Sequence, residues 1–270
     1  MADSLCWIDD SFYVLGNKGV YSWKSGSEKM NTVIDLAAAS NYDYVQDCPE
    51  DESEAAVWNQ MLQLIFTDGE ALYGLHPYSG MIKKIEENAQ TDVAEIQQEY
   101  LYSEDMEAYR EIRQAVYADK KLYLLLGTDT YEEYDKTELY AFDLDTSGME
   151  LVDIEGVNSI MLGAEGTLLI QTNDALSVAA QYDVESGTLG EEILTVGEDE
   201  RITGVAWDAV DQRYVRFVQG QVVTCDADGN EIVKAYIPVF DATENVPAAC
   251  SATGLYALAN GRYIFIRDIT

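Results

Sequence analysis

Basic residues are scarce in this chain. Lysine and arginine number 16 against 50 aspartates and glutamates, for a formal net charge of -34. Such a surface repels phosphate backbones, which removes nucleic acid from the partners to consider, and anionic membrane surfaces for the same reason. Cations, basic proteins and neutral ligands remain, and solubility is the plainest use of so much charge. Histidine is scarcer still, since His76 stands alone. A His-rich metal centre is excluded by count. A Ser-His-Asp triad would have to use His76, yet no GxSxG elbow accompanies it. Lying just before Pro77, His76 reads as an exposed turn residue. The four cysteines, Cys6, Cys48, Cys225 and Cys250, form no CxxC pair and no Cys/His cluster, which argues against zinc. Cys6 and Cys225 fall in strand-like runs, where cysteine serves as a small buried apolar residue. Cys48 and Cys250 read as loop residues, free to pair in an oxidising compartment. No apolar run reaches the roughly 18 residues of a membrane helix. The opening residues, MADSLCWIDD, carry neither a basic start nor an apolar stretch, so they do not read as a signal peptide. A chain that begins after a removed leader would look the same.

What is present is apolar residue in short, regular runs. Hydrophobic residues make up 47% of the 270 positions, enough for a sizeable core and too many for wholesale disorder. The clearest stretch is TELYAFDLDTSGMELVDI at 137–154, in which an apolar strand enters a polar turn at Asp143–Gly148 and a second strand runs back. Similar units surround it. Residues 5–8, 12–15, 20–23 and 29–36 read as four strands joined by turns too short for a parallel crossover, hence a meander. A second unit follows at 61–66, 71–75 and 81–85. A third occupies 115–118, 122–126, 139–142 and 149–154, and a fourth 159–162, 168–172, 177–182 and 192–196. A fifth takes 202–208, 214–218, 222–225 and 231–237. A closing hairpin, 254–259 and 262–267, turns at Asn260-Gly261, the strongest short hairpin signal in the chain. Residues 250–270 thus supply two strands of a sixth unit.

Two acidic insertions interrupt the array. Residues 41–56 carry six acids and no base. In 86–112, Val93, Ile96, Tyr100 and Met106 fit one side of a broken helix, and 93–97 fits an outer strand equally well. The third strands and their turns align as GVYSWKSGSEK, ALYGLHPYSGM, ELYAFDLDTSGM, VAAQYDVESGT and QVVTCDADGNE, each with a glycine near the turn. From Tyr140 to Thr224 the units recur about 40–45 residues apart, the period of four-stranded propeller blades.

The LYGLHPYSG and LYAFDLDTSG segments resemble the turns of β-propeller repeats in the broad PQQ-like, YVTN and WD-like group. The chain is also similar in character to propeller domains of secreted or lipid-anchored bacterial proteins, including those attached to solute-binding modules. The resemblance implies an all-β fold of four-stranded antiparallel blades, most simply six, with five or seven as alternatives, in a single domain over 1–270. Neither the repeated Trp-Asp of WD repeats nor the docking tryptophans of PQQ enzymes is present, so those activities are not implied.

No catalytic motif emerges. Asp226-Ala227-Asp228-Gly229-Asn230-Glu231 opens like a calcium loop, but the position that should hold the twelfth-place glutamate is Ile237, so a hairpin turn is the better reading. Asp143–Gly148 and Asp183–Gly187 read the same way. The expectation is therefore no catalytic residue, no metal ligand and no cofactor. In-strand aromatics should pack between blades. Trp58, Tyr42, Tyr44, Tyr131 and Tyr134 lie outside the regular repeat and are the candidate ligand-contacting residues. The function expected is a non-catalytic, extracytoplasmic bacterial domain that binds a protein, peptide or carbohydrate. The alternatives are a metal-dependent hydrolase of the lactonase type, using carboxylates of a central channel, and a structural spacer within a longer solute-binding protein.

Overall fold

The computed structural model describes residues 4–16, 19–24, 27–35, 62, 64–76, 79–103, 108–128, 136–172, 176–197, 199–240, 246–251, 254–259 and 262–266. The chain falls into two compact units, 1–111 and 112–270. Its architecture is that of a six-bladed β-propeller of antiparallel blades.

The first unit holds two four-stranded meanders. One comprises β1 (Ser4–Ile8), β2 (Ser11–Gly16), β3 (Gly19–Lys24) and β4 (Asn31–Asp35), and the other β5 (Leu64–Thr67), β6 (Leu72–Leu75), β7 (Met81–Glu86) and β8 (Ala89–Glu95). A single helical turn, α1 (Gln98–Leu101), and the short β9 (Tyr102–Ser103) follow. Of the two readings offered for 86–112, the outer strand is the nearer, because β8 pairs with β7 along most of its length. Cys6, Ile8, Leu15, Val20 and Ile34 of the first meander pack with Leu62, Ile65, Leu72 and Ile85 of the second in one buried cluster. Each sheet alone would leave that face wet, so stacking is what removes it from water.

The second unit continues the series. Its third sheet contains β10 (Ala108–Ala118), whose first residues pair with β9, then β11 (Lys121–Thr128), β12 (Lys136–Phe142) and β13 (Met149–Leu151). The fourth sheet is β14 (Ser159–Leu162), β15 (Leu168–Gln171), β16 (Val178–Asp183) and β17 (Thr188–Thr195). The fifth is β18 (Ile202–Asp208), β19 (Arg213–Val218), β20 (Gln221–Cys225) and β21 (Glu231–Tyr236). The sixth contains β22 (Ala248–Ser251), β23 (Gly254–Ala259) and β24 (Arg262–Ile266). Among the described residues it has three strands where two were expected. The extra one, β22, includes Cys250, which is therefore a strand residue and not a loop residue. Cys6, Cys225 and Cys250 are free thiols. Cys48 lies outside the described residues.

Three buried clusters join these sheets in succession. Leu125, Leu139 and Ala141 meet Ile160, Leu168 and Ile170; Leu169, Ala179 and Leu194 meet Val205, Tyr214 and Val223; Val215, Phe217 and Val222 meet Phe240, Leu255 and Ala257. Aromatics fill gaps between sheets as expected. Tyr123 meets Tyr182 edge-on at 6.0 Å, and Phe217 meets Phe240 at 4.9 Å.

First strands are also tied by polar groups. Ser4 Oγ accepts the Ile65 N–H at 2.8 Å and donates to the Ile65 carbonyl at 2.7 Å, bridging β1 to β5. In the second unit Gln114 on β10 accepts the Ile160 N–H at 2.7 Å. The Val246 N–H donates to the Thr203 carbonyl at 2.7 Å. Gly204 allows that last approach, since a Cβ there would lie 2.1 Å from the Val246 oxygen.

Aspartates build the turns. Asp143 Oδ1 accepts the N–H groups of Asp145 and Thr146, both at 2.9 Å. Asp183 accepts those of Glu185 and Ser186 at 2.9 and 3.1 Å. Asp226 accepts those of Asp228 and Asn230 at 3.1 and 2.8 Å. The calcium-like stretch is thus a hairpin turn whose first carboxylate is occupied by its own backbone.

Candidate functional site

Within the second unit, a cleft of about 390 Å³ lies against the fourth sheet. One wall is Asp119, at the tip of the β10–β11 hairpin. The rest of the lining includes Thr167 and, from the β16–β17 hairpin, Gln181, Tyr182, Asp183, Glu185 and Glu191. The hairpin tip is held there by local chemistry. Asp119 and Lys120 both have positive φ, 47° and 65°, the pair required by a two-residue turn that matches strand twist. The Asp119 N–H then donates to the Gly166 carbonyl at 3.1 Å, fixing the tip to the 3₁₀ turn Ala164–Gly166.

The cleft's two aspartates are driven in opposite directions. Desolvation raises the Asp119 carboxyl above the usual carboxylate range. Asp183 is lowered, chiefly by the Ser186 backbone N–H and then by the Ser186 side chain and the Glu185 N–H. Tyr182 is buried, and its phenol is raised by that burial and then by Asp183. Behind it Tyr123 is pushed up to about 12, first by burial and then by Tyr182. Chemically the cleft is an acidic recess, at whose rim the exposed Asp119 carboxyl is raised by partial desolvation, and it suits neutral or cationic ligands. Among the described residues no group of three or more His, Cys, Asp or Glu is placed to hold a metal ion.

Tyr42, Tyr44, Trp58, Tyr131 and Tyr134 all lie outside the described residues, as do residues 41–56. His76 was expected to be exposed and is only 1% exposed. Its Nδ1 accepts the Ser79 N–H at 2.9 Å, and its backbone N–H and carbonyl pair with Met81 and Gly80. The ring is folded into its own turn to satisfy that turn's donor, which draws it out of water. Cleft residues were missed because a hairpin tip and a strand pair more than 60 residues further on meet only in three dimensions. The one available signal was the Asp119–Lys121 turn.

No protein-family model matches the chain, and no curated protein matches it. Solved structures do. The chain is similar to a gluconolactonase of Xanthomonas campestris with a TM-score of 0.61 and 12% identity, over 97% of this chain and 84% of that one. It is similar to regucalcin, a calcium-binding protein of Agrobacterium tumefaciens, with a TM-score of 0.55 and 14% identity over 96% and 81%. The β-propeller domain of Cps50 from Myceliophthora thermophila gives 0.54 and 13% over 99% and 83%. At these identities the likeness shows the fold, and it shows the propeller.

The comparison corrects the functional expectation. A repeat array without a catalytic motif was taken to indicate a non-catalytic binding domain. A gluconolactonase nevertheless aligns with 97% of this chain, so the absence of such a motif is no argument against catalysis on this fold. The expectation read function from fold and motif alone, and function resides in the geometry of a site, which residues distant in sequence can form.

Proposed function

We propose that this chain is a hydrolase of the lactonase type, opening a cyclic ester with water. The observation that carries the reading is the fold likeness to the Xanthomonas gluconolactonase over nearly the whole chain, an argument by analogy of fold. The acidic cleft adds a specific candidate. Lactone hydrolysis needs a base to take a proton from attacking water, and a carboxylate of raised basicity serves this better than an ordinary one. Asp119 is that carboxylate among the described residues. The described residues do not fit a divalent metal centre, so no metal-assisted step is derived for them.

The test is hydrolysis of a panel of lactones, glucono-δ-lactone first, followed by acid release in weakly buffered solution. The same assay is run after chelation and after adding back magnesium, calcium, manganese or zinc. Turnover above the spontaneous rate is expected with at least one lactone. No turnover with any lactone under any metal condition would overturn the reading. Asp119→Asn is expected to lower turnover by about 100-fold, the usual worth of a general base. Full turnover in that variant would keep the hydrolase and move its chemistry out of this cleft.

A further inference from the structure

The cleft of the second unit holds acids without bases. Asp119, Asp183, Glu185 and Glu191 line it, and all four are exposed. Among the described residues no lysine or arginine joins them in the lining. The two bases that follow Asp119 do not fill that need, since Lys121 faces Glu150 at 3.7 Å and Lys120 is outside the lining. Asp183 is partly occupied, because its Oδ1 accepts the N–H groups of Glu185 and Ser186. The carboxylates of Asp119, Glu185 and Glu191 make no ion pair and no hydrogen bond among the described residues. These acids do not converge on one point either, as no three are placed to hold a metal ion. They stand around a recess of about 390 Å³, within the range of roughly 300–1,000 Å³ usual for small-molecule sites. That layout suits a cation whose charge is carried on a carbon frame.

Tyr182 gives a second, independent observation. It also lines the cleft, yet it is only 8% exposed and belongs to the buried cluster that contains Ala118 and Tyr123. Its ring meets Tyr123 edge-on, but its hydroxyl makes no hydrogen bond among the described residues. A polar atom on so buried a side chain normally has a partner, and leaving it without one costs free energy. The hydroxyl lies 4.0 Å from where a Cβ on Gly187 would stand, beside the Asp183–Gly187 turn. It is close enough to Asp183 for that charge to act on it. The cleft therefore pairs carboxylates that lack a cation with a phenol oxygen that lacks a donor. Val184, 37% exposed in the same lining, offers an apolar surface for the rest of a ligand.

We propose that the substrate of this cleft is a cationic lactone, a cyclic ester carrying a primary ammonium group, with the ammonium held by Tyr182 Oη and the carboxylates of Asp183, Glu185 and Glu191. The proposal rests on the lactonase reading and names the class of substrate within it. The Tyr182 oxygen accepts a hydrogen bond from the ammonium, which supplies its missing partner. A primary alkylammonium has a pKa of about 10 and stays charged near neutral pH. In the reaction water adds to the ester carbonyl and the ring C–O bond breaks. The ring oxygen takes up a proton to become a hydroxyl, and the new carboxyl group releases one. A neutral lactone thus yields an anion, whereas a cationic lactone yields a zwitterion, whose ammonium the acidic recess still attracts. Anionic lactones are repelled on entry.

The test separates binding from turnover and uses the whole chain. Binding is read by calorimetry with three δ-lactams, which keep the ring but resist hydrolysis, bearing an aminomethyl, a hydroxymethyl or a carboxylate group. The aminomethyl lactam is expected to bind about tenfold more tightly than the hydroxymethyl one, and the carboxylate lactam most weakly. High salt should erase most of that preference, because the acids are exposed. Tyr182→Phe keeps the ring in its cluster and should weaken the aminomethyl lactam about tenfold. Glu185→Gln with Glu191→Gln should weaken it about fivefold at an unchanged melting temperature, since both side chains are exposed. The matching lactones are then assayed, and kcat/KM is expected to follow the same order. Equal binding of the hydroxymethyl lactam, a preference indifferent to salt, or full binding by both variants would overturn the proposal. Turnover of neutral lactones with no preference for the cationic one would overturn it and leave the lactonase reading standing. No turnover of any lactone under any metal condition would overturn both.

Discussion

Strands β19 and β21 belong to the same sheet and are similarly apolar, yet they live in different solvents. In RYVRFV every residue but the first is buried, including Arg216, whereas in EIVKAY every residue is exposed. Intrinsic strand preference does not separate them, since both are rich in β-branched and aromatic residues. Place in the sheet does. β19 has a paired strand on each side, and Val215 and Phe217 face the sixth sheet in a shared cluster, whereas β21 ends the order. Burial in this fold is conferred by neighbours more than by the strand's own composition, and free energy follows burial.

Substitutions make that difference measurable. The largest effect is expected from Phe217→Ala. This fully buried ring packs on Phe240, and its removal should cost about 3–5 kcal/mol in urea unfolding. Ile232→Ala in β21 should cost less than about 0.5 kcal/mol in the same experiment, as exposed positions do. Similar losses at the two sites would break the comparison. Of intermediate size is Ser4→Ala, which strips the partner from both the N–H and the carbonyl of Ile65 between two first strands. A loss of about 1–3 kcal/mol is expected for buried groups left unpaired.

The smallest effect concerns the exposed turns and is visible through pH. Asp143 is lowered chiefly by the Thr146 N–H, and Asp226 chiefly by the Asn230 side chain. A carboxyl depressed on folding adds stability that is present above its unfolded value, about 4, and is lost as pH falls through the folded value. Asp143→Asn keeps an oxygen acceptor and removes the charge. Wild type should therefore melt slightly higher than this variant near neutral pH, and the gap should close on acidification. A gap that widened toward acid would contradict the role given to the carboxylate.

Much of the fold could be read from residues alone because it is written locally. Asp183–Gly187 and Asp226–Asn230 carry their turn chemistry within five residues, and the strands on either side alternate with period two. What could not be read depended on distant partners. Nothing near Ser4 or Gln114 announces that each will bond to the first strand of the next sheet. His76 looked exposed because its sequence neighbours are turn formers, and the bond from Ser79 that turns the ring inward is a matter of three-dimensional folding. The acidic cleft was hidden for the same reason, and β21 passed for an ordinary strand because exposure depends on where a sheet stops.

Hydrogen exchange followed by mass spectrometry tests the central claim most directly, since it reads every strand of one sheet in a single experiment. The account predicts that amides of β19 and β20 are the last in the fifth sheet to exchange, and that β21 exchanges well before them under native conditions. Equal protection of β19 and β21 in the isolated chain would contradict it.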